Sequence, residues 1–329
     1  MATRLFDQIY RQGLLSDESF KKAKHLFTKP IISLYKDLNV ILYSGVLLLS
    51  SGLGILIYKH IDSIGHLAIL CLIAAICLFC YAYCYRKAPA FSWDEVASPD
   101  VLFNYLLVLG GLLMVIFIGY LQYQYHVFRE SWNIAAFIPM VLLFITAYYF
   151  DSLGVLSLAI TNLATWLGIT INRFTWPFLG NLKANEMIYT SMMLGAFLIG
   201  MAFFSSTSRR KAHFKGLYHQ FGTHIFFIST IIAIFHFDPH YWPWIIILAT
   251  GTTYHIYKAF REKSFYYLVV ALLYLYFGIS YLAIDLIDQL DAGKKTLEQI
   301  NMLYFIISSA GLAYILVQLN NKLKRNAGI

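Results

Sequence analysis

Ten long apolar runs divide this 329-residue chain, at about 39–58, 65–85, 101–125, 133–150, 152–171, 187–206, 217–236, 242–257, 265–286 and 302–319. A bilayer core of roughly 30 Å takes ~20 mostly apolar residues per helix. Lipid offers backbone N–H and C=O groups no partner, so a spanning segment must satisfy them internally, as a helix does. Only 13% of residues are charged and 59% are hydrophobic, against about one quarter charged in soluble domains. The expected fold is all-α: a polytopic transmembrane helical bundle of about ten spans. Asp151 and Ser152 alone separate the fourth and fifth runs, which together are too long for one crossing, so the spacing predicts a tight helical hairpin there. Ser98, Pro99 and Asp100 mark the start of the third helix.

The distribution of the 25 Lys and Arg residues predicts orientation. With the N-terminus inside, alternate connections place 19 of them on the inner side and 6 on the outer. Cytoplasmic loops carry such an excess, so both termini are expected in the cytoplasm. The basic residues lie in short clusters between apolar runs, with no basic groove or aromatic RNA-binding signature, which leaves the formal charge of +8 as topology and argues against nucleic acid as a partner. The expected partner is the lipid bilayer. Cys71, Cys77, Cys80 and Cys84 share one run, the last three on one helical face; they read as small packing residues, and no disulfide-built exterior is expected.

Residues 1–30 form a separate expectation, a cytoplasmic helical hairpin ahead of the bundle at 31–329. Leu5, Ile9, Leu14, Leu15 and Phe20 supply its apolar positions, Gly13 ends one helix, Ser16 caps the next and Pro30 stops it. A unit this small gains little stability alone and is expected to dock on the bundle or on a protein partner.

The stretch Gly13-Leu14-Leu15-Ser16-Asp17-Glu18, followed by the glycine-punctuated run from Gly45 to Gly54, resembles an uncharacterised family of bacterial multi-pass membrane proteins with a short N-terminal hairpin. The match is strongest over about residues 1–85. The resemblance implies a bacterial inner-membrane location and supplies no reaction, cofactor or catalytic residue.

Candidate functional residues are polar groups within the spans. Tyr267, Tyr274 and Tyr281 recur every seven residues above Asp285, nearly in line down one face of the ninth span. Ser157, Thr161 and Thr165, beside Asn162, form a comparable face on the fifth. Both faces are expected to point inward, as a ligand lining or as hydrogen-bonding glue between helices. Gly278 is expected to leave room beside the tyrosines. Ser191, Gly195, Ala196 and Gly200 suit close packing of the sixth span. His236, Asp238 and His240 have the donor chemistry for a metal, although short polar loops hold histidine for plainer reasons. His219 and His255 are expected at similar depth on antiparallel neighbours, with His224 about a turn and a half deeper, as a proton relay or as packing histidines.

The carboxylate that ion-coupled transporters place at mid-depth is missing from every run. No clustered catalytic set or cofactor motif is evident, so an enzyme is the least favoured expectation. The leading one is a carrier or binder of a neutral or lipid-like molecule; the alternative is a non-catalytic scaffold or accessory subunit docking a partner through its hairpin.

Overall fold

The computed structural model describes residues 34–173, 182–290 and 293–327. The expected hairpin at 1–30 lies outside the described residues. Those residues hold ten helices: α1 (Leu34–Ile64), α2 (His66–Lys87), α3 (Val101–Tyr125), α4 (Trp132–Phe150), α5 (Leu153–Arg173), α6 (Leu182–Ser208), α7 (Lys215–His236), α8 (Trp242–Glu262), α9 (Phe265–Asp288) and α10 (Lys294–Ala327), with a 3-10 turn at Ala212–Phe214. The chain is a polytopic helical bundle, and eight of these helices are long and apolar enough to cross a membrane. α1 is not among the eight: its described side chains cover only Val40–Ile55, an apolar helical stretch. α8 falls short for a different reason: Thr252, His255 and Lys258 lower its hydropathy, yet all three are buried against protein. An apolar-run criterion misses a helix whose polar side faces its neighbours.

The described residues divide into two compact units, 34–69 and 70–327. Within the second, local chemistry sets the helix ends as expected from the sequence. Asp100 caps α3, its Oδ1 accepting from the Phe103 N–H at 2.6 Å. Its Oδ2 lies 2.6 Å from the Lys87 ammonium, and these two partners hold the Asp100 carboxyl below the usual carboxylate range. α4 and α5 make the tight hairpin: Asp151 adopts a left-handed conformation (φ 57°) and its N–H donates to Ala147 O, ending α4 at once.

Small residues fix the closest helix contacts. Gly110 on α3 lies against Cys80 on α2, where an added Cβ would come within 3.2 Å of the cysteine Cβ. Cys77 Sγ approaches Gly110 O at 3.4 Å and Cys84 Sγ approaches Phe103 O at 3.6 Å, so the cysteine face is a packing surface. α6 and α7 approach closer still. A Cβ on Gly195 would sit 2.7 Å from Phe226 N, and one on Gly222 would sit 2.8 Å from Gly195 O.

The two ends of this unit differ in charge. At one end, the connections after α2, α4 and α6 meet: the Lys211 N–H donates to Trp93 O and the Val96 N–H to Asp151 Oδ2, both at 2.7 Å. Lys215 and Glu262 pair at the same end, 3.4 Å apart. It carries Arg86, Lys87, Arg209, Arg210, Lys211, Lys215, Lys258, Arg261 and Lys263 and is called the basic end below. At the opposite end His236 bonds to Asn185, Tyr241 to Asp285 and Asn301 to Asp288.

Candidate functional site: two cavities divided by a glycine contact

Gly195 and Gly222 bring the α6 and α7 backbones together midway along both helices, and a cavity opens on each side of this contact. Toward the opposite end lies an apolar pocket of about 450 Å³ between α5, α6 and α7. Leu167, Gly168, Met187, Leu194 and Ile228 are among its walls, and His236 stands at its rim. A Cβ on Gly168 would meet nothing within 4 Å, so this wall is open space. Its polar groups are the hydroxyls of Thr190, Ser191 and Ser229 and the imidazole of His236; the Ser229 hydroxyl is already bonded to Ile225 O, and His236 Nε2 lies 2.7 Å from Asn185 Oδ1. Ligand pockets of such volume are typically apolar with a small number of orienting polar groups.

Toward the basic end lies a cleft of about 570 Å³ between α6, α7 and α8. Lys215, Lys258 and Arg261 line it against one carboxylate, Glu262, and Ile199 and Phe203 form an apolar side. Glu262 lies 3.4 Å from Lys215 and 3.9 Å from Lys258. The buried Lys258 ammonium also stands 4.7 Å from the centre of the Tyr267 ring. His219 belongs to the cleft wall with 1% of its surface exposed, and its Nε2 has no hydrogen-bond partner among the described residues.

Behind this cleft the histidines and tyrosines form one packed cluster. His219 stacks on His255 with ring centres 5.3 Å apart and meets Tyr267 edge-on at 5.1 Å. His255 Nδ1 lies 2.8 Å from Gly251 O, an obligate acceptor, so Nδ1 carries the proton and neutral Nε2 accepts from Thr223 at 2.9 Å. His224 is held between Tyr274 (2.9 Å) and Tyr266 (2.7 Å). The structure thus brings His219 and His255 together and ties His224 to the tyrosine face. With His219 Nε2 unbonded, no continuous hydrogen-bonded chain joins the three among the described side chains.

The tyrosine face of α9 points inward, and the α9 and α5 faces do not meet. α9 packs on α7, α8 and α10, whereas α5 packs on α3, α4, α6 and α7. Tyr274 stacks on Phe227 at 4.9 Å, and Tyr281 meets Phe235 edge-on at 4.6 Å. The room expected beside Gly278 is filled by Leu248 of α8, which an added Cβ would strike. Asp285 lies at the opposite end, 3.5 Å from the Tyr241 hydroxyl.

The fifth span corrects the inward expectation. Thr161 and Thr165 are exposed on the side of the bundle, and the hydroxyls of Ser157, Thr161 and Thr165 bond to Gly154, Ser157 and Thr161 carbonyls of their own helix. A hydroxyl satisfied by its own backbone needs no partner across a helix contact, so the stripe does not dictate which way the helix turns. Asn162 Oδ1 is buried without a partner among the described residues. Those residues hold no group of three His, Cys, Asp or Glu side chains placed to bind a metal; Asp238 and His240 lie in the turn after His236.

The family comparison agrees with the resemblance read from the N-terminal motifs. Residues 7–156 match DUF2157, a family of predicted membrane proteins. No curated protein and no solved structure matches the chain at a significant level. The DUF2157 stretch ends within α5, before the helices α6, α7 and α8 that wall the basic cleft.

The DUF2157 stretch does contain Asp151, part of a buried cluster that reading the sequence missed. Its Oδ1 lies 2.9 Å from Lys211 Nζ and 2.7 Å from His213 Nε2, with the Asp151 and Lys211 side chains only 4% and 1% exposed. The Lys211 ammonium pairs by proximity, without an aligned hydrogen bond. The Phe91 ring stands 5.4 Å away. The sequence shows Asp151 as a turn residue and Lys211 as one of several loop cations; only the folded backbone joins them. An available signal is that Asp151 has almost no polar loop around it, so its charge must find a partner nearby.

Proposed function

We propose that the protein is a carrier or binder of a neutral, amphipathic, lipid-like molecule, held in the pocket between α5, α6 and α7. The observation that carries this reading is the pocket's composition: about 450 Å³ of almost wholly apolar wall with His236 at one end. An apolar body fits the wall, and one neutral hydrogen-bonding head fits beside the imidazole. A photoactivatable diacylglycerol added to the full-length protein in detergent tests it. Labelling concentrates on α5, α6 and α7 peptides and falls in Gly168→Leu, which fills the pocket from a position where its first added atom meets open space. Labelling spread evenly over the bundle, or unchanged by that substitution, contradicts the reading.

In the same proposal the basic end faces the cytoplasm of a bacterial inner membrane, with both termini inside and the hairpin at 1–30 free to dock a partner. Labelling of Ala90→Cys by an impermeant maleimide from outside intact cells would overturn that orientation. A second reading, a non-catalytic scaffold, is favoured by the filled space at Gly278 and by α10, whose apolar window has no residue buried in this chain.

A further inference from the structure

The basic cleft is separated from the apolar pocket by the Gly195–Gly222 contact and has different chemistry. Three cations, Lys215, Lys258 and Arg261, face one carboxylate, a local excess of two positive charges in a cavity of about 570 Å³. Glu262 cannot neutralise this group: it lies 3.4 Å from Lys215 and 3.9 Å from the buried Lys258. Ser206 adds a hydroxyl to the cleft wall. His219 Nε2, within a residue only 1% exposed, has no partner among the described residues. Ile199 and Phe203 line the remaining side, and Phe203 is 73% exposed on the outside of the bundle. Cationic donors beside an apolar wall at one end of a membrane bundle match an acidic head joined to an apolar tail.

We propose that the cleft between α6, α7 and α8 binds a phosphate group, with Lys215, Lys258 and Arg261 as counter-charges, His219 as a donor and Ile199 and Phe203 against an attached acyl chain. Binding exchanges the Glu262 contacts of Lys215 and Lys258 for contacts to phosphate oxygens, so Glu262 competes with the ligand. The site is distinct from the neutral-lipid pocket, because Gly168 lines only the latter.

The test measures the thermal unfolding midpoint of the full-length protein in neutral detergent while titrating dioleoylphosphatidylglycerol, dioleoylphosphatidylcholine or inorganic phosphate. Phosphatidylglycerol is expected to raise the midpoint at concentrations where phosphatidylcholine, whose choline cancels the charge, does not. Lys215→Gln and Arg261→Gln, made at partly or fully exposed positions that tolerate substitution, each weaken the apparent affinity about fivefold, the size expected for one cation near an anionic lipid. Glu262→Gln strengthens it. Stabilisation by inorganic phosphate with the same dependence on Lys215 and Arg261 supports the site with free phosphate as its source; an effect of phosphatidylglycerol alone assigns it to the headgroup. Equal stabilisation by both lipids, or an unchanged affinity in the Lys215→Gln/Arg261→Gln double variant, overturns the proposal.

Discussion

The apolar pocket and the basic cleft share α6 and α7 as walls yet differ in nearly every property that selects a ligand. The pocket has three hydroxyls, Thr190, Ser191 and Ser229, and one imidazole at its rim, whereas the cleft has three cations and an imidazole nitrogen without a partner among the described residues. The difference comes from position along the same two helices. Leu194 and Ile225 lie on the pocket side of the glycine contact, and Ile199 and His219 lie on the cleft side. One pair of helices thus presents an apolar surface at one end and a charged surface at the other, with backbone contact between them.

The largest expected effect falls on the framework of the basic end. Asp151→Asn leaves the Lys211 ammonium buried without its counter-charge and is expected to cost about 3–5 kcal/mol of stability. The double variant Asp151→Asn/Lys211→Met removes both charges while the amide oxygen still accepts from the Val96 N–H and Asn tolerates the left-handed backbone, and it is expected to recover most of that loss in thermal unfolding. If the single variant is as stable as the parent, the pair does not anchor the connections at this end. In either folded variant the apolar pocket should keep its diacylglycerol labelling, because no residue of the Asp151 cluster lines it.

A smaller effect is expected at the divide itself. Gly195→Ala places a methyl 2.7 Å from Phe226 N and 2.9 Å from Gly222 O, backbone atoms that cannot step aside as a side chain can. Forcing the helices apart is expected to cost about 1–3 kcal/mol. Because both cavities rest on this contact, diacylglycerol labelling and phosphatidylglycerol affinity should fall together. A variant that loses one and keeps the other would show that the cavities do not share a structural base.

Much of the fold was legible in the sequence because its determinants are local. Apolar length predicts the helices, Asp100 caps α3 through a neighbour three residues away, and Asp151-Ser152 can only be a tight reversal between two spans. The sites were less legible because they depend on rotation about each helix axis. The α9 tyrosines have a period that predicts one face, but not that Leu248 fills the space at Gly278. The α5 stripe shows the opposite failure: its hydroxyls satisfy themselves on their own carbonyls, so polarity did not force them inward. Lys215, Lys258 and Arg261 read as positive-inside charges of two separate basic clusters; their convergence requires α7 and α8 to lie side by side.

The most direct measurement of the central claim, two cavities with separate ligands, is native mass spectrometry of the intact protein with diacylglycerol and phosphatidylglycerol present together. The account predicts a species carrying one of each, with Gly168→Leu removing only the diacylglycerol and Lys215→Gln/Arg261→Gln removing only the phosphatidylglycerol. Mutual exclusion of the two lipids, or loss of both in either variant, would contradict it.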